Sequence, residues 1–285
     1  MTVHDVMVIK CGGHAGVDAS AVCADVARLH AAGTSVVCVH GGSAEIERLA
    51  ARLGVPQRRL TSPDGMSSRY TDAATLDVVS VALAGVVQPR LVTALLRAGV
   101  PAVGLTGVDG GLLRARRRTA QRALAGGRQV IVRDDLSGRV TAVNTALLTT
   151  LSAAGFVPVI SPPVLGEDGA MLNADADRVA AVVAGAIGAS MLLMLTGAPG
   201  VLADPADPAS VLADCVVPAD GPPPLRGGGI GVKLLAARDA LTAGVPAVLI
   251  ADGRADQPVQ RALAGAATRV TLAALSSAAL SSAAL

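Results

Sequence analysis

Short apolar runs alternate with longer amphipathic segments over most of the chain. The runs VMVI (6–9), SVVCV (35–39) and MLLMLT (191–196) have the length and Val/Leu-rich composition of buried strands. The segments between such runs repeat Ala, Val and Leu at helical spacing. This alternation predicts an α/β protein, a three-layer αβα sandwich with a mainly parallel central sheet.

The same pattern assigns each element a range. Strands are predicted at 6–9, 35–39, 101–105, 156–160, 191–196, 246–250 and 268–272. Helices are predicted at 18–32, 43–53, 72–98, 142–154, 175–187, 231–243 and 257–263. Ser43 is expected to cap its helix, and Pro89 to break or kink the long one. Between the regular elements the sequence predicts a polar connection at 55–71, a hairpin pairing 112–117 with 128–133, and a loop at 197–229.

The pattern restarts after Pro162-Pro163, which places a boundary near 162–166. We therefore expect an N-terminal lobe at 1–164 and a C-terminal lobe at 165–273. The ending ALSSAALSSAAL (274–285) is of low complexity and is expected to be a tail.

Composition narrows the class of protein. The chain is 52% apolar with one Phe and one Tyr, so Ala, Val and Leu must form the core. A net charge of +2 does not indicate a nucleic-acid binder. There is no evident signal peptide, and no run of ~20 apolar residues free of Gly, Pro and charge. The four cysteines lack metal-site spacing. We expect a cytoplasmic protein with reduced thiols, no resident metal, and no nucleic-acid or membrane partner.

Lysine is rare in this chain. Of 24 basic residues only Lys10 and Lys233 are lysine. Lysine is a compact mobile charge, whereas arginine is a planar fork. The two lysines are therefore candidates for a role that guanidinium cannot fill, such as contact with a phosphoryl group in transfer.

Glycine pairs follow the first two predicted strands, at Gly12-Gly13 and Gly41-Gly42. In a parallel sheet both pairs lie at the carboxyl edge, where open α/β sheets place ligands. Glycine lets backbone N–H groups approach an anion, and a following helix N-terminus favours negative charge. The two pairs together indicate a phosphate site, although turns also use glycine. The P-loop and dinucleotide motifs are absent.

These features occur within a series of motifs that resembles the amino-acid kinase family and its acetylglutamate kinase branch. The motifs stand in the family's order: VIKCGG, VHGGSAEI, SSRYTDAATLD, LNADADRVAA, LTGAPGVLADP and GGGIGVKLLAA. HGGSAEI and SSRYTD are more similar to the LysW-aminoadipate/glutamate kinases than to ordinary acetylglutamate kinases. The resemblance covers residues 6 to 272 and implies that family's fold.

The resemblance implies catalytic roles for Lys10, Lys233 and Asp175. The lysines would hold the transferring phosphoryl group from two sides, and Asp175 would accept hydrogen bonds from both. Asp175 also suits a helix N-cap, and the two roles are compatible. Asp177 is expected to be exposed or structural.

The resemblance also implies a site for the amino-acid substrate. It comprises Gly41, Gly42, Ser43, Arg69 and Asn173, with Arg69 gripping the second carboxylate as a bidentate fork. Met171 stands where many acetylglutamate kinases have asparagine, which favours an N-acyl group other than acetyl. Tyr70 could line the pocket or belong to the core.

On the nucleotide side the resemblance implies binding of ATP with Mg²⁺, the cation being held largely by phosphate oxygens and water. The residues concerned are Gly12, Gly13, Thr196, Gly197, Asp204, Gly228 and Gly229. Asp204 fits a surface turn equally well.

Seven arginines and no acidic residue lie between 114 and 133. Arg114, Arg116, Arg117 and Arg118 are candidates for docking an acidic carrier protein, with a solvated basic face as the alternative. Nucleic acid is disfavoured because no aromatic residues interleave for stacking.

The resemblance thus predicts an ATP-dependent kinase for the side-chain carboxylate of an amino-blocked α-aminoadipate or glutamate. The blocking group is expected to be a small acidic LysW-like carrier, and the product an acyl phosphate in lysine- or arginine-type biosynthesis. Two alternatives stay open: an ordinary N-acetylglutamate kinase, and a non-catalytic nucleotide-binding regulator. A homodimer through the 72–98 helices is also expected.

Overall fold

Strand β1 lies inside a large sheet and carries Lys10 near its carboxyl end. A computed structural model describes residues 6–13, 16–17, 19–63, 65–125, 128–225 and 229–273. Over these residues the strands are β1 Val6–Cys11, β2 Ser35–His40, β3 Arg58–Thr61, β4 Ser67–Tyr70, β5 Ala102–Gly107, β6 Leu113–Arg117, β7 Gln121–Ala125, β8 Arg128–Val132, β9 Gly138–Val143, β10 Val157–Gly166, β11 Met171–Leu172, β12 Met191–Thr196, β13 Asp214–Val217, β14 Ala247–Asp252 and β15 Ala267–Leu272.

The helices cover the intervening segments. They are α1 Ala19–Ala31, α2 Ser43–Leu53, α3 Ala73–Ala82, α4 Gln88–Arg97, α5 Thr145–Ala153, α6 Ala176–Ala186, α7 Ile230–Thr242 and α8 Pro258–Leu263. The predicted tail at 274–285 lies outside the described residues.

The main sheet has eleven strands in the described chain. Its order is β13-β15-β14-β12-β1-β2-β10-β6-β9, with β5 and β11 also paired to β10. β12, β1, β2 and β10 run parallel to their neighbours in this row. β10 continues through residues 162–166, where the sequence predicts a lobe boundary.

Alternate side chains of the central strands enter two separate cores. Val8 of β1 packs in a cluster with α5, α6 and α7, whereas Met7 and Ile9 pack with α1, α4 and α8. Side chains of a strand alternate between faces, so a strand buried on both faces must be apolar throughout. This arrangement confirms the predicted αβα sandwich.

A second, four-stranded sheet lies in the order β4-β3-β7-β8. The predicted pairing of 112–117 with 128–133 is wrong, because β6 pairs with β9 and β8 pairs with β7. The segment predicted as a polar connection contains the β3–β4 hairpin. Its strands, RRLT and SSRY, are too short and polar to give a period-two apolar signal.

The helix predicted at 72–98 is interrupted, as expected from Pro89. A π-helical turn at Leu83–Val87 separates α3 from α4, and the proline lies in the first turn of α4. In the described residues Ala73–Arg97 is the single helix long and apolar enough to span a membrane by length and composition. Core helices of soluble proteins meet the same criterion, so this is weak evidence for a span.

A buried carboxylate connects helix α1 with helix α8. Asp25 of α1 is fully buried and accepts hydrogen bonds from Val259 N (2.8 Å) and Gln260 N (3.2 Å) at the start of α8. Its other oxygen pairs with Arg28. The carboxylate thus satisfies N–H groups that helices leave without partners.

We expect Asp25→Ala to lower the free energy of unfolding by about 2–4 kcal/mol, because it leaves buried N–H groups unsatisfied. Urea denaturation measures this change. Asp207→Ala, in an exposed turn, is the control and is expected to change stability by less than about 0.5 kcal/mol. Equal stability of the two variants would contradict the capping role of Asp25.

Candidate active site

A cavity of about 780 Å³ opens at the carboxyl ends of β1, β2 and β12. It brings together most of the site residues predicted from the sequence. They are Lys10, Gly12, Gly13, Gly41, Gly42, Ser43, Arg69, Arg118, Asn173, Asp175, Thr196, Gly197, Gly229 and Lys233. Gly228 lies outside the described residues.

Two lysines and one aspartate form the innermost group of the cavity. Lys10 Nζ lies 2.8 Å from Asp177 Oδ1, and Lys233 Nζ donates to Asp177 Oδ2 at 2.8 Å. The exposed fraction of the side chain is 6% for Lys10, 12% for Lys233 and 9% for Asp177. One carboxylate therefore contacts the ammonium groups of both lysines beside the glycine loops.

The carboxylate between the lysines is not the predicted one. Asp175 is the N-cap of α6, and its Oδ1 accepts hydrogen bonds from the N–H groups of Asp177 and Arg178, both at 3.0 Å. Asp177 lies in the first turn of α6 and is buried, so the expectation of an exposed side chain is wrong, and its contact with both lysines was not predicted. The helix start turns Asp177, two residues later, toward both lysines.

The protonation states follow from burial and these contacts. Burial lowers the pKa of Lys10, but the charge of Asp177, its hydrogen bond to Lys10 and the charge of Asp175 together outweigh burial, and the net pKa is raised. Burial lowers the pKa of Lys233, and the nearby Lys10 charge adds to this lowering. Burial raises the pKa of Asp177, but the two ammonium groups together bring it below its usual range. The two lysines thus stabilise the ionised form of the Asp177 carboxylate.

The two glycine loops contact each other directly. Ser43 Oγ and Ala44 N both donate to Gly13 O, at 3.0 and 3.1 Å. The N-cap of α2 is Gly42, so the predicted capping role of Ser43 is wrong and its hydroxyl joins the loops instead. Burial lowers the pKa of His40, just before the second loop, to about 4, so its imidazole is neutral at pH 7.

We expect Gly13→Ala to lower kcat/KM by about 10- to 100-fold, because overpacking a close backbone contact costs about 1–3 kcal/mol. A Cβ there would lie 2.6 Å from Gly42 N and 2.8 Å from Ser43 N. Gly85→Ala, in the π-helical turn outside the cavity lining, is the control, since its Cβ would meet Val81 Cγ1 at 3.9 Å, an ordinary contact. Steady-state kinetics with varied ATP compares them, and similar losses would contradict the steric account.

Arg69 and Asn173 extend the cavity toward the β3–β4 hairpin. Arg69 donates to Gln57 Oε1 and lies 3.8 Å from a carboxylate oxygen of Glu47. Asn173 Nδ2 donates to Thr71 Oγ1 at 3.1 Å. Their contacts hold a guanidinium and an amide at the cavity wall, a combination suited to a carboxylate ligand.

A model of the amino acid kinase family matches residues 5–252. The chain belongs to the amino acid kinase family. It is 40% identical over 267 residues to the [LysW]-aminoadipate kinase of Thermus thermophilus, covering 93% of this chain and 99% of that protein. It is also 41% identical over 256 residues to the acetylglutamate kinase of Symbiobacterium thermophilum, covering 87% and 84%.

The solved structure of a Giardia carbamate kinase has the same fold. It superposes with a TM-score of 0.64 at 15% sequence identity, covering 95% of this chain and 100% of that one. These matches confirm the family and the fold implied by the sequence motifs.

Some residues that the sequence placed at the site do not line the cavity. Asp204 does not line the cavity; its Oδ1 accepts from Ala206 N in an exposed turn, the alternative given above. Tyr70 is buried, donates to Asp134 and packs under Arg58, so it belongs to the hairpin structure.

The candidate docking arginines do not form one group at the cavity. Arg116 pairs with Glu167, and Arg117 donates to the carbonyl of Asp135. Of the four candidate docking arginines only Arg118 lines the cavity.

Several basic residues of the cavity were not predicted from the sequence. Among the described residues the lining includes seven basic groups, Lys10, Arg59, Arg69, Arg118, Arg122, Arg178 and Lys233, against the three acidic groups Glu47, Asp175 and Asp177. The arginine-rich sequence did indicate a basic region, but the four-stranded sheet that brings Arg59 of β3 and Arg122 of β7 to the cavity was not predicted. This excess of positive charge favours a strongly anionic set of ligands.

Proposed function

We propose that this chain uses ATP to phosphorylate the side-chain carboxylate of an α-aminoadipate or glutamate whose amino group is linked to a small acidic carrier protein. The contact of Lys10 and Lys233 with one buried carboxylate, beside two joined glycine loops, carries the proposal. The family and the relatives near 40% identity make the chain a phosphotransferase that acts on a carboxyl group. We place the reaction in the cytoplasm and in lysine- or arginine-type biosynthesis.

The main barrier to this reaction is the approach of two anions. A carboxylate oxygen of the acceptor attacks the γ-phosphorus, and the bond to the oxygen bridging the β- and γ-phosphates breaks as ADP leaves. The acceptor is already ionised, so no proton transfer is needed. Lys10 and Lys233 neutralise charge on the transferring group, and Asp177 orients both ammonium groups before the substrates bind.

The nucleotide fits the glycine-lined part of the cavity. We assign its phosphates to Gly12, Gly13, Thr196, Gly197, Gly228 and Gly229, mainly in the C-terminal half at 165–273. At Gly13 a Cβ would meet backbone atoms of Gly42 and Ser43, so glycine there allows the two loops to pack side by side. No cluster of three or more His, Cys, Asp or Glu suited to a metal occurs in the described residues. We propose that Mg²⁺ enters with ATP, held by phosphate oxygens and water, where it would supply charge neutralisation.

The acceptor is assigned to the N-terminal half at 1–164, together with Asn173. Gly41, Gly42 and Ser43 would contact the reacting carboxylate, and Arg69 and Asn173 the α side of the amino acid. The carrier would approach from the arginine-rich side, where Arg118 lines the cavity. The 73–97 helices are the proposed contact between two copies of the chain.

Hydroxylamine trapping tests the proposal, because an acyl phosphate reacts with it to give a hydroxamate. We expect rapid hydroxamate formation with ATP and LysW-linked aminoadipate, and at least ten-fold lower kcat/KM with free N-acetylglutamate. Brisk reaction with free N-acetylglutamate would favour the acetylglutamate kinase function, which the Symbiobacterium relative supports. Tight ATP binding without hydroxamate from either acceptor would favour the regulatory alternative.

A further inference from the structure

Asp135 is a buried carboxylate next to the cavity wall. It lies between β8 and β9, and only 1% of the residue is exposed. Its Oδ1 accepts a hydrogen bond from Thr71 N at 2.7 Å, and its Oδ2 accepts from the Gln121 amide and the Ser137 hydroxyl. In the part of the chain that the structure describes, no basic side chain lies within ion-pair distance of this carboxylate. Neutral donors from β7, from the residue after β4 and from its own segment therefore satisfy its oxygens.

The segment that begins with Asp135 holds the main chain of Thr71 through two hydrogen bonds. Thr71 N donates to Asp135 Oδ1, and Leu136 N donates to Thr71 O at 2.7 Å. Thr71 is fully buried and directly follows β4, two residues after Arg69. The two contacts therefore fix the end of the strand that carries Arg69 to the cavity.

The same segment also holds Asn173. Asn173 N donates to Leu136 O at 2.8 Å, and Gly138 N donates to Asn173 O at 2.9 Å. The Asn173 side chain donates from Nδ2 to Thr71 Oγ1 at 3.1 Å. The orientation of the Asn173 amide at the cavity wall thus depends on the position of Thr71, which in turn depends on Asp135.

We propose that Asp135 is a positioning residue for the acceptor: through Thr71 it places Arg69 and Asn173 so that both can bind the α side of the amino acid. The inference rests on the proposed function, which assigns these two side chains to the acceptor. Asp135 itself does not line the cavity, so it acts on binding only through residues that do. Side chains that bind a ligand need supporting hydrogen bonds of this kind to keep their geometry. Loss of the carboxylate therefore weakens acceptor binding and leaves nucleotide binding intact.

Paired variants of Asp135 and Thr71 test this inference. Asp135→Ala removes all three hydrogen bonds of the carboxylate. Asp135→Asn keeps an oxygen for Thr71 N, and its amide can donate to Ser137 or Gln121, whose side chains can rotate to accept. Thr71→Val keeps the main-chain contacts and the shape of the side chain but removes the oxygen that binds Asn173, whereas Thr71→Ser keeps that oxygen.

Asp25→Ala is the matched control. It also removes a buried carboxylate that accepts backbone N–H groups, but this carboxylate lies between α1 and α8, away from the cavity lining. KM for ATP, KM for LysW-linked aminoadipate and kcat per folded enzyme are measured for the unchanged enzyme and all five variants.

We expect Asp135→Ala to raise the KM for LysW-linked aminoadipate about ten- to thirty-fold and to leave kcat and the KM for ATP within about two-fold, because the lost interaction is uniform binding of the acceptor. Thr71→Val raises the acceptor KM about three- to ten-fold, as the loss of one hydrogen bond predicts. Asp135→Asn and Thr71→Ser stay within about three-fold of the unchanged enzyme, because the contacts that matter are kept. Asp25→Ala destabilises the protein but leaves both KM values unchanged.

An equal rise of both KM values in Asp135→Ala, or a loss confined to the amount of folded enzyme as in Asp25→Ala, would overturn the inference while leaving the proposed function standing. If Asp135→Ala does not fold, the Thr71 pair decides, and an acceptor KM that is equal in Thr71→Val and Thr71→Ser would overturn the inference. If the unchanged enzyme does not phosphorylate LysW-linked aminoadipate, the proposed function fails and the inference with it.

Discussion

Asp177→Asn is expected to lower kcat by at least about a thousand-fold. The substitution leaves two buried ammonium groups without the charge that holds them together, and breaking such a pair costs about 3–5 kcal/mol. The lysines would then repel each other and lose the orientation that the transferring group requires. Hydroxamate formation at saturating ATP and acceptor measures the loss.

Asp175→Asn is the matched control for this prediction. It makes the same chemical change two residues away, and asparagine caps helices as well as aspartate does. We expect it to lose less than about ten-fold in kcat. Far-UV circular dichroism checks that both variants fold. If Asp175→Asn were the more damaged enzyme, the assignment of Asp177 as the residue that orients the lysines would be wrong.

Lys10→Arg and Lys233→Arg are each expected to lower kcat by about a hundred- to ten-thousand-fold. Both lysines are largely buried and end within 2.8 Å of Asp177, so there is little room for the wider guanidinium. Arginine keeps the charge but pairs side-on with a carboxylate and places its donors differently. The measurement is single-turnover phosphoryl transfer, which separates chemistry from binding and release.

Arg254→Lys provides the comparison for these lysine variants. Arg254 pairs with Asp252 at a partly exposed position outside the cavity lining. An exchange of basic residues there is expected to leave kcat within about two-fold, since exposed ion pairs contribute little. Wild-type rates in both Lys10→Arg and Lys233→Arg would remove the lysines from the mechanism.

The sequence predicts those strands of the main sheet that are buried on both faces, because such strands must be apolar throughout. β1, β2 and β12 are covered on both faces and appear as continuous apolar runs. β3 and β4 form a half-exposed hairpin over the cavity, and their polar residues carry no comparable period. Their position depends on tertiary packing that a local pattern does not encode.

The two aspartates of the site also differ in how far the local sequence determines their roles. The preference of Asp175 for a helix N-cap is local, and the structure confirms it. The packing of α6 beside β1 and α7 determines which carboxylate contacts Lys10 and Lys233. Because Asp175 and Asp177 are only two residues apart, the local sequence does not distinguish between them. The glycine loops were predictable because both follow buried parallel strands, whose carboxyl ends must share an edge.

A crystal structure with ADP, Mg²⁺, aluminium fluoride and the blocked aminoadipate would test the central claim most directly. Aluminium fluoride imitates the phosphoryl group in transfer. The account predicts that the Nζ atoms of Lys10 and Lys233 both lie within hydrogen-bond distance of its fluorides, with Asp177 still between them. A complex in which either ammonium group points away from the aluminium fluoride would contradict it.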